Sequence, residues 1–288
     1  MARTPLNLFT QHSRHWQANR YVYPVISRRS KGLSIGVNLN PDTVCNFDCI
    51  YCCVDRTVPP AVRVVDLEIL KQELEHLLDV TISGELFQQP PFDQTPQHLR
   101  RLNDIAFSGD GEPTSYPKFG EASHIAADLL GHRGLTDVKI VIITNATLLE
   151  RPAVAKVLNY LDQHNGEIWA KLDAGTEPYY RLIERTSIPL ARVLANILSA
   201  GRERPIVIQS LFMNVNNEPP TDAEIDEYIL RLRELTEQGC QIKLVQVYTV
   251  ARTTAEAYVT PLSNVQVDAI AAKVAATGLK VEAYYGPT

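Results

Sequence analysis

A chain of 288 residues, 45% hydrophobic and 21% charged, is long enough to bury a substantial core and too apolar for disorder to be its default. The formal net charge of −5 supplies no global basic field for nucleic acid or an anionic membrane; "SRRSK" (27–31) and "HLRR" (98–101) are local basic stretches, more often solvated faces. No run approaches the roughly 18 apolar residues that span a bilayer, and the first twenty residues lack the apolar run and cleavage site of a secretory signal, so a cytoplasmic protein with reduced thiols and no membrane contact is expected.

Residues 1–30 read as an N-terminal extension to a single domain whose core spans 32–284. "GLSIGVNLN" (32–40) is the first strand, with Leu33, Ile35, Val37 and Leu39 on alternate positions. Directly after it, "VCNFDCIYCC" (44–53) puts four of the chain's five cysteines into ten positions. "DLEILKQELEHLLDV" (66–80) repeats leucines at helical spacing, and the proline- and glutamine-rich stretch 81–103 reads as a surface insertion. Strands at 104–109, 137–145, 167–173, 205–213 and 241–250 then alternate with helices at 119–133, 151–164, 189–201, 222–239 and 265–277, the helix at 189–201 being stopped by glycine. A last strand is expected at 279–286.

Such alternation requires a parallel sheet with crossover helices. A partial (β/α) barrel and a doubly wound sheet both satisfy it. In either, functional residues belong where strands run into the following loops, and polar or glycine-rich clusters do fall there. They are the cysteines, "SGDGEPT" (108–114), "TNAT" (144–147), "KLDAG" (171–175), "QS" (209–210) and "QVYTVAR" (246–252).

Cys45, Cys49 and Cys52 form C-x3-C-x2-C. Three thiolates on one tight loop can hold three corners of a 4Fe–4S cluster and leave one iron open, whereas protein-only ligation uses four. Structural zinc is the rival, but it wants four closed ligands, commonly as two separated pairs. Cys53, adjacent to Cys52, points away from it in an extended chain, and Cys240 reads as a buried structural thiol. His12 and His15 are the remaining residues that could complete a zinc site. Taken alone, Asn145 also fits a loop cap, and Lys171 and Asp173, two apart on a strand, fit a structural ion pair.

The cysteine triad, with Tyr51 just before its third member, resembles the signature of the radical S-adenosylmethionine (SAM) enzymes. "GDGEPT" (109–114) resembles their glycine–glutamate motif, with Asp110 where glycine is commoner, and "TNATLL" (144–149) resembles their strand-three motif. "KLDAG" and "VQVYTVAR" (245–252) resemble a subgroup of oxidoreductases related to the tRNA wyosine-synthesis enzymes. The resemblance implies a partial (β/α)6 barrel, one 4Fe–4S cluster on Cys45, Cys49 and Cys52, SAM on the open iron, and hydrogen abstraction from substrate by a 5′-deoxyadenosyl radical. It places Gly111 and Glu112 at the SAM amino group and Tyr51 near its adenine. Asn145, Lys171, Asp173 and Gln209 are rim candidates for SAM ribose and carboxylate or for substrate. An electron donor such as flavodoxin or ferredoxin is implied, with a small-molecule or RNA substrate. The two remaining cysteines cannot build a second cluster, unlike the wyosine enzymes. The competing class is a non-enzymatic, zinc-stapled and RNA-binding module.

Overall fold

The computed structural model describes residues 16–286, so the expectation for His12 and His15 lies outside it. The chain gathers into two compact units: Met1–Cys45, Pro59–Ile143 and Pro152–Glu167 in one, and Asn46–Val58, Thr144–Arg151 and Ile168–Thr288 in the other.

In the first unit, β1 (Val22–Ser27) runs antiparallel to β2 (Gly32–Val37), with Val22 opposite Val37. Residues 22–27 therefore belong to a sheet instead of forming only an extension. Pro24 signals an edge strand, where the missing N–H costs no ladder bond. Buried Glu73, on α1 (Leu67–Ile82), accepts hydrogen bonds from the backbone N–H groups of Arg20, Tyr21 and Val22 at 2.7, 2.9 and 3.2 Å. One carboxylate thus fixes the entry of β1, a role that no local pattern advertises. Asp66 caps α1 by accepting from the N–H groups of Glu68 and Ile69.

The stretch 81–103 is half core. Three short 3-10 turns (Glu85–Gln88, Phe92–Gln94, Gln97–Leu99) bury Leu86, Phe87, Phe92 and Leu99, each worth about 1.5–3 kcal/mol when fully enclosed. Apolar residues between prolines here are anchors, not exposed filler. Next, β3 (Leu102–Phe107) lies parallel to β2 and to β4 (Lys139–Thr144), with α2 (Phe119–His132) and α3 (Pro152–Leu161) as the accompanying helices.

The second unit carries four parallel strands: β5 (Gly166–Lys171, from Ile168 on), β6 (Ile206–Leu211), β8 (Ile242–Tyr248) and β10 (Val281–Tyr284), paired in that order. A short antiparallel pair, β7 (Met213–Val215) and β9 (Val259–Pro261), branches from it. Its helices are α4 (Glu177–Glu184), α5 (Leu190–Glu203), α6 (Asp222–Glu237) and α7 (Asn264–Ala275). Thr176, Thr221 and Ser263 cap α4, α6 and α7 with their hydroxyl oxygens. Helix α5 continues through Gly201, which had been expected to end it. A Cβ there would lie 2.1 Å from the sulfur of Cys240, so glycine is required for close packing and not for a stop. Cys240 is the buried structural thiol expected, with burial pushing its pKa to about 11. Among the described residues no helix is long and apolar enough to cross a membrane.

Candidate cofactor site

In the first unit, the loop after β3 is shaped by missing side chains. A Cβ on Gly111 would lie 2.2 Å from the carbonyl oxygen of Val44 and 2.8 Å from the Cβ of Asn40. Only glycine lets this loop approach the backbone beside Cys45. Asp110, anomalous in the motif, has a local partner: Asn38 Nδ2 donates to its carboxylate at 2.6 Å, and its own N–H donates to Asn38 Oδ1 at 3.2 Å. Buried Glu112 accepts from the N–H of Thr114 at 3.1 Å and from its hydroxyl. Gly111 and Glu112 therefore sit on a stiff loop whose carboxyl is held by its neighbour two residues on.

In the second unit, the carboxyl end of α4 grips the cysteine loop. Asp48 N–H donates to the Glu184 carbonyl at 3.1 Å and Ile50 N–H to the Ile183 carbonyl at 2.9 Å. These are carbonyls that a helix end leaves without intrahelical partners. The ring of Phe47 meets Tyr180 edge-on at 5.9 Å. Arg185, left-handed at φ 45°, closes the helix, forks to Glu256 at 2.6 Å and Asp48 at 3.5 Å, and donates to the Tyr258 hydroxyl at 2.6 Å. Ala255 N–H donates to the Cys52 carbonyl at 2.9 Å, and Cys52 N–H to the Cys49 carbonyl at 3.0 Å. Asn145 Nδ2 donates to Asn46 Oδ1 at 2.7 Å, while Asn46 Nδ2 donates to Thr147 Oγ1 at 2.7 Å. Asn145 thus acts as a brace for the cysteine loop.

Two expected rim residues, Lys171 and Asp173, meet Tyr51 here in one largely buried network. Lys171 Nζ lies 2.9 Å from Asp173 Oδ2, donates to the Tyr248 hydroxyl at 2.8 Å, and sits 4.9 Å from the ring centre of Tyr51 and 5.2 Å from that of Tyr248. Burial alone would lower the lysine pKa, but Asp173, Tyr248 and Glu184 outweigh it and hold the ammonium charged well above the ordinary range. The Tyr51 hydroxyl is 2.5 Å from Asp173 Oδ2 and 2.9 Å from Glu184 Oε1. One hydroxyl hydrogen cannot serve both carboxyls. Burial, with Asp173 beside it, raises the Glu184 pKa above that of a normal carboxyl. The Cys49 thiol donates to Glu184, and burial followed by this carboxyl raises its pKa. Gln209 pairs instead with Gln246, Nε2 to Oε1 at 2.7 Å. Glu184, Tyr248 and Gln246 were not singled out from sequence. Tyr248 and Gln246 lay inside a quoted motif, whereas Glu184 belongs to α4, whose signal is the Thr176 cap followed by Tyr180 and Ile183 at helical spacing.

Among the described residues no three His, Cys, Asp or Glu side chains are gathered as a metal-ligand set. Cys53 is exposed, and Cys45, Cys49 and Cys52 are half-buried.

Comparison with known proteins adds family evidence. A UPF0026 protein of Methanocaldococcus jannaschii is 25% identical over 248 residues, covering 83% of this chain and 65% of that protein. A UPF0026 protein of Synechocystis is 27% identical over 186 residues, covering 63% of this chain and 60% of that one. The chain therefore spans somewhat less than two thirds of these relatives. Among solved structures, a radical SAM methyltransferase from Sphaerobacter thermophilus superposes with a TM-score of 0.62 at 14% identity, covering 92% of this chain and 69% of that one. Streptococcus suis SuiB bound to S-adenosylmethionine superposes at 0.59 and 12% identity, covering 89% and 52%. These show the fold, a mostly parallel half-barrel of strands and helices as expected, and set aside the doubly wound alternative. The radical SAM superfamily model matches residues 39–229, and the chain belongs to that superfamily of enzymes, whose cofactors are a 4Fe–4S cluster and SAM.

Proposed function

We propose that Cys45, Cys49 and Cys52 hold one 4Fe–4S cluster with an iron left open, and that SAM binds there and is cleaved to start hydrogen abstraction from a substrate. The observation that carries this reading is the donor set: three thiols on one loop, with Cys53 exposed beside them and Cys240 buried against Gly201, so that the cysteine donors of the loop stop at three. Soft thiolates suit iron–sulfur chemistry, and the missing fourth donor suits an added ligand. When bound, the cluster supplies the electron that splits SAM into methionine and a 5′-deoxyadenosyl radical, which takes a hydrogen atom from substrate.

This chain's own residues then do the positioning. The grip of α4 sets the loop, and Asn145 braces Asn46. Lys171, kept charged by Asp173 and flanked by two tyrosine rings, supplies a cation for an anionic group such as the SAM carboxylate. Gly111 and Glu112 are assigned to the SAM amino group and Tyr51 to the neighbourhood of the adenine; Asp173 and Gln209 are shared between SAM and substrate. The electron comes from a small redox protein such as flavodoxin or ferredoxin, in the cytoplasm. The resemblance of "KLDAG" and "VQVYTVAR" to the wyosine-related oxidoreductases supports a stand-alone modifying enzyme with a small-molecule or RNA substrate.

The test is anaerobic reconstitution, reduction and SAM. About four irons per chain and 5′-deoxyadenosine are expected. Cys45→Ala, Cys49→Ala and Cys52→Ala each lose the cluster, and Cys53→Ala and Cys240→Ala keep it. Full iron in the Cys49 variant, or stoichiometric zinc in a colourless folded protein, defeats the reading.

A further inference from the structure

In the second unit the cysteine loop is touched by residues 249–258, which carry the chain from β8 to β9 and take no part in holding a cofactor. Both ends of this segment are anchored. The Thr249 N–H donates to the Tyr284 carbonyl at 3.3 Å, and its hydroxyl oxygen accepts from the Leu262 N–H at 2.8 Å. At the other end the Tyr258 carbonyl accepts from the Asn216 N–H at 3.0 Å. Between them the hold is thin. No residue from 251 to 258 is buried. Among the described residues, the backbone of 250–257 has one hydrogen bond to a residue distant in sequence, from the Ala255 N–H to the Cys52 carbonyl at 2.9 Å. Segments with so few buried contacts open locally long before the whole fold does.

Arg185 supplies the second tie. Its guanidinium reaches Glu256, on the segment, at 2.6 Å and Asp48, on the cysteine loop, at 3.5 Å, and it donates to the Tyr258 hydroxyl at 2.6 Å. Asp48 also has Arg56 at 3.9 Å, so Glu256 is the carboxylate that depends on Arg185. Arg185 closes α4 at φ 45°, in the left-handed region where glycine is the usual terminator and other residues are strained. Glycine would end the helix at lower cost and would leave Glu256 without its cation. What the side chain holds explains arginine at a glycine position; the turn does not. The hold is also moderate. Arg185 is 38% exposed, Asp48 60% and Glu256 29%, and ion pairs this open are weak and screened by salt. A weak tie on a thinly buried segment opens and recloses, where a buried pair would keep it shut.

We propose that residues 249–258 are a gate closing on the cysteine loop at Cys52, and that Arg185 is its latch. Closed, the gate shelters that side of the loop from water and oxidants; open, it exposes it. The inference rests on the radical-enzyme reading for what is sheltered, an oxygen-sensitive cluster, whereas the latch is a property of the chain itself.

Amide hydrogen exchange at Ala255, detected by NMR, is compared in iron-free, full-length wild type, Arg185→Gly and Glu256→Gln. Both variants should exchange about three- to fivefold faster there, the size expected of an exposed ion pair. Arg185→Gly should nevertheless melt no lower than wild type, because glycine suits the left-handed turn. General loosening of the fold does not produce that combination. Salt at about 1 M, where the Debye length is about 3 Å, should speed the Ala255 amide in wild type and not in Arg185→Gly. In reconstituted protein the iron–sulfur colour should bleach faster in air in both variants. Unchanged Ala255 exchange in both variants, a melting temperature that falls as exchange rises, salt dependence that survives in Arg185→Gly, or equal bleaching overturns the proposal. Glu256→Gln asks nothing new of the backbone and decides the question if Arg185→Gly fails to fold. Failure to assemble any cluster is a separate result that defeats the functional reading, and the exchange measurement still decides the latch.

Discussion

The loop after β3 and the rim around Lys171 reach rigidity by opposite routes. The first is fixed mainly by what is absent: Gly111 has no Cβ, so the chain closes on Val44 and Asn40, and local hydrogen bonds of Asp110 with Asn38 and of Glu112 with Thr114 tie down the rest. The second is fixed by what is present, since buried Asp173, Tyr51 and Glu184 share hydrogens and charge with the partly exposed Lys171. Steric fixing tolerates changes of pH and salt; electrostatic fixing makes every member depend on the others. If the rim around Lys171 takes the SAM carboxylate as proposed, this second kind suits it, because preset dipoles and charges need not reorganise when ligand arrives.

The largest blow to the electrostatic side is Lys171→Met. It leaves the side chain of Asp173, fully enclosed, without its counter-charge. A loss of about 3–5 kcal/mol is expected in urea denaturation, and an unchanged midpoint would mean that the network is not what holds the rim. Next comes a buried acid of the first unit, Asp104. Burial pushes Asp104 up to about 6 from the ordinary aspartate value of 3.8, against the opposing pull of the Ser34 hydroxyl. Its folded-state pKa is raised, so its contribution is complete below pH 3.8 and is lost as pH rises through about 6. The wild type should lose about 3 kcal/mol across that window relative to Asp104→Asn, read as the difference between their stability–pH curves. Parallel curves would remove the claim that this unit holds a buried neutral acid. Smallest is Gly111→Ala on the steric side. About 1–3 kcal/mol is expected from overpacking, with reduced iron retention as the loop retreats from Val44, checked by thermal melting and iron assay.

What was legible in the chain follows the same division. Local patterns gave the six main strands with their helices and the glycine–glutamate loop, because alternation, helical leucine spacing and glycine are written over a few residues. Glu184 escaped because it lies 135 residues from the cysteine whose thiol it accepts, inside a helix too short to stand out. The edge strand β1 escaped because Pro24 interrupts its pattern, although proline is what an edge tolerates. The stop assigned to Gly201 was misplaced for a related reason: the neighbour that demands glycine, Cys240, is remote in sequence and visible only once the helix is packed. Chemistry that depends on long-range pairing is not encoded in any window of residues.

The grip of α4 on the cysteine loop has a consequence for biogenesis. The amide hydrogens of Asp48 and Ile50 are committed to the Glu184 and Ile183 carbonyls, so part of the path of the peptide around Cys49 is set by α4. For the cluster proposed on this loop, metallation would then resemble docking into a moulded socket more than folding around a mineral seed. Slow deuterium uptake at those two amides in iron-free protein would be its signature.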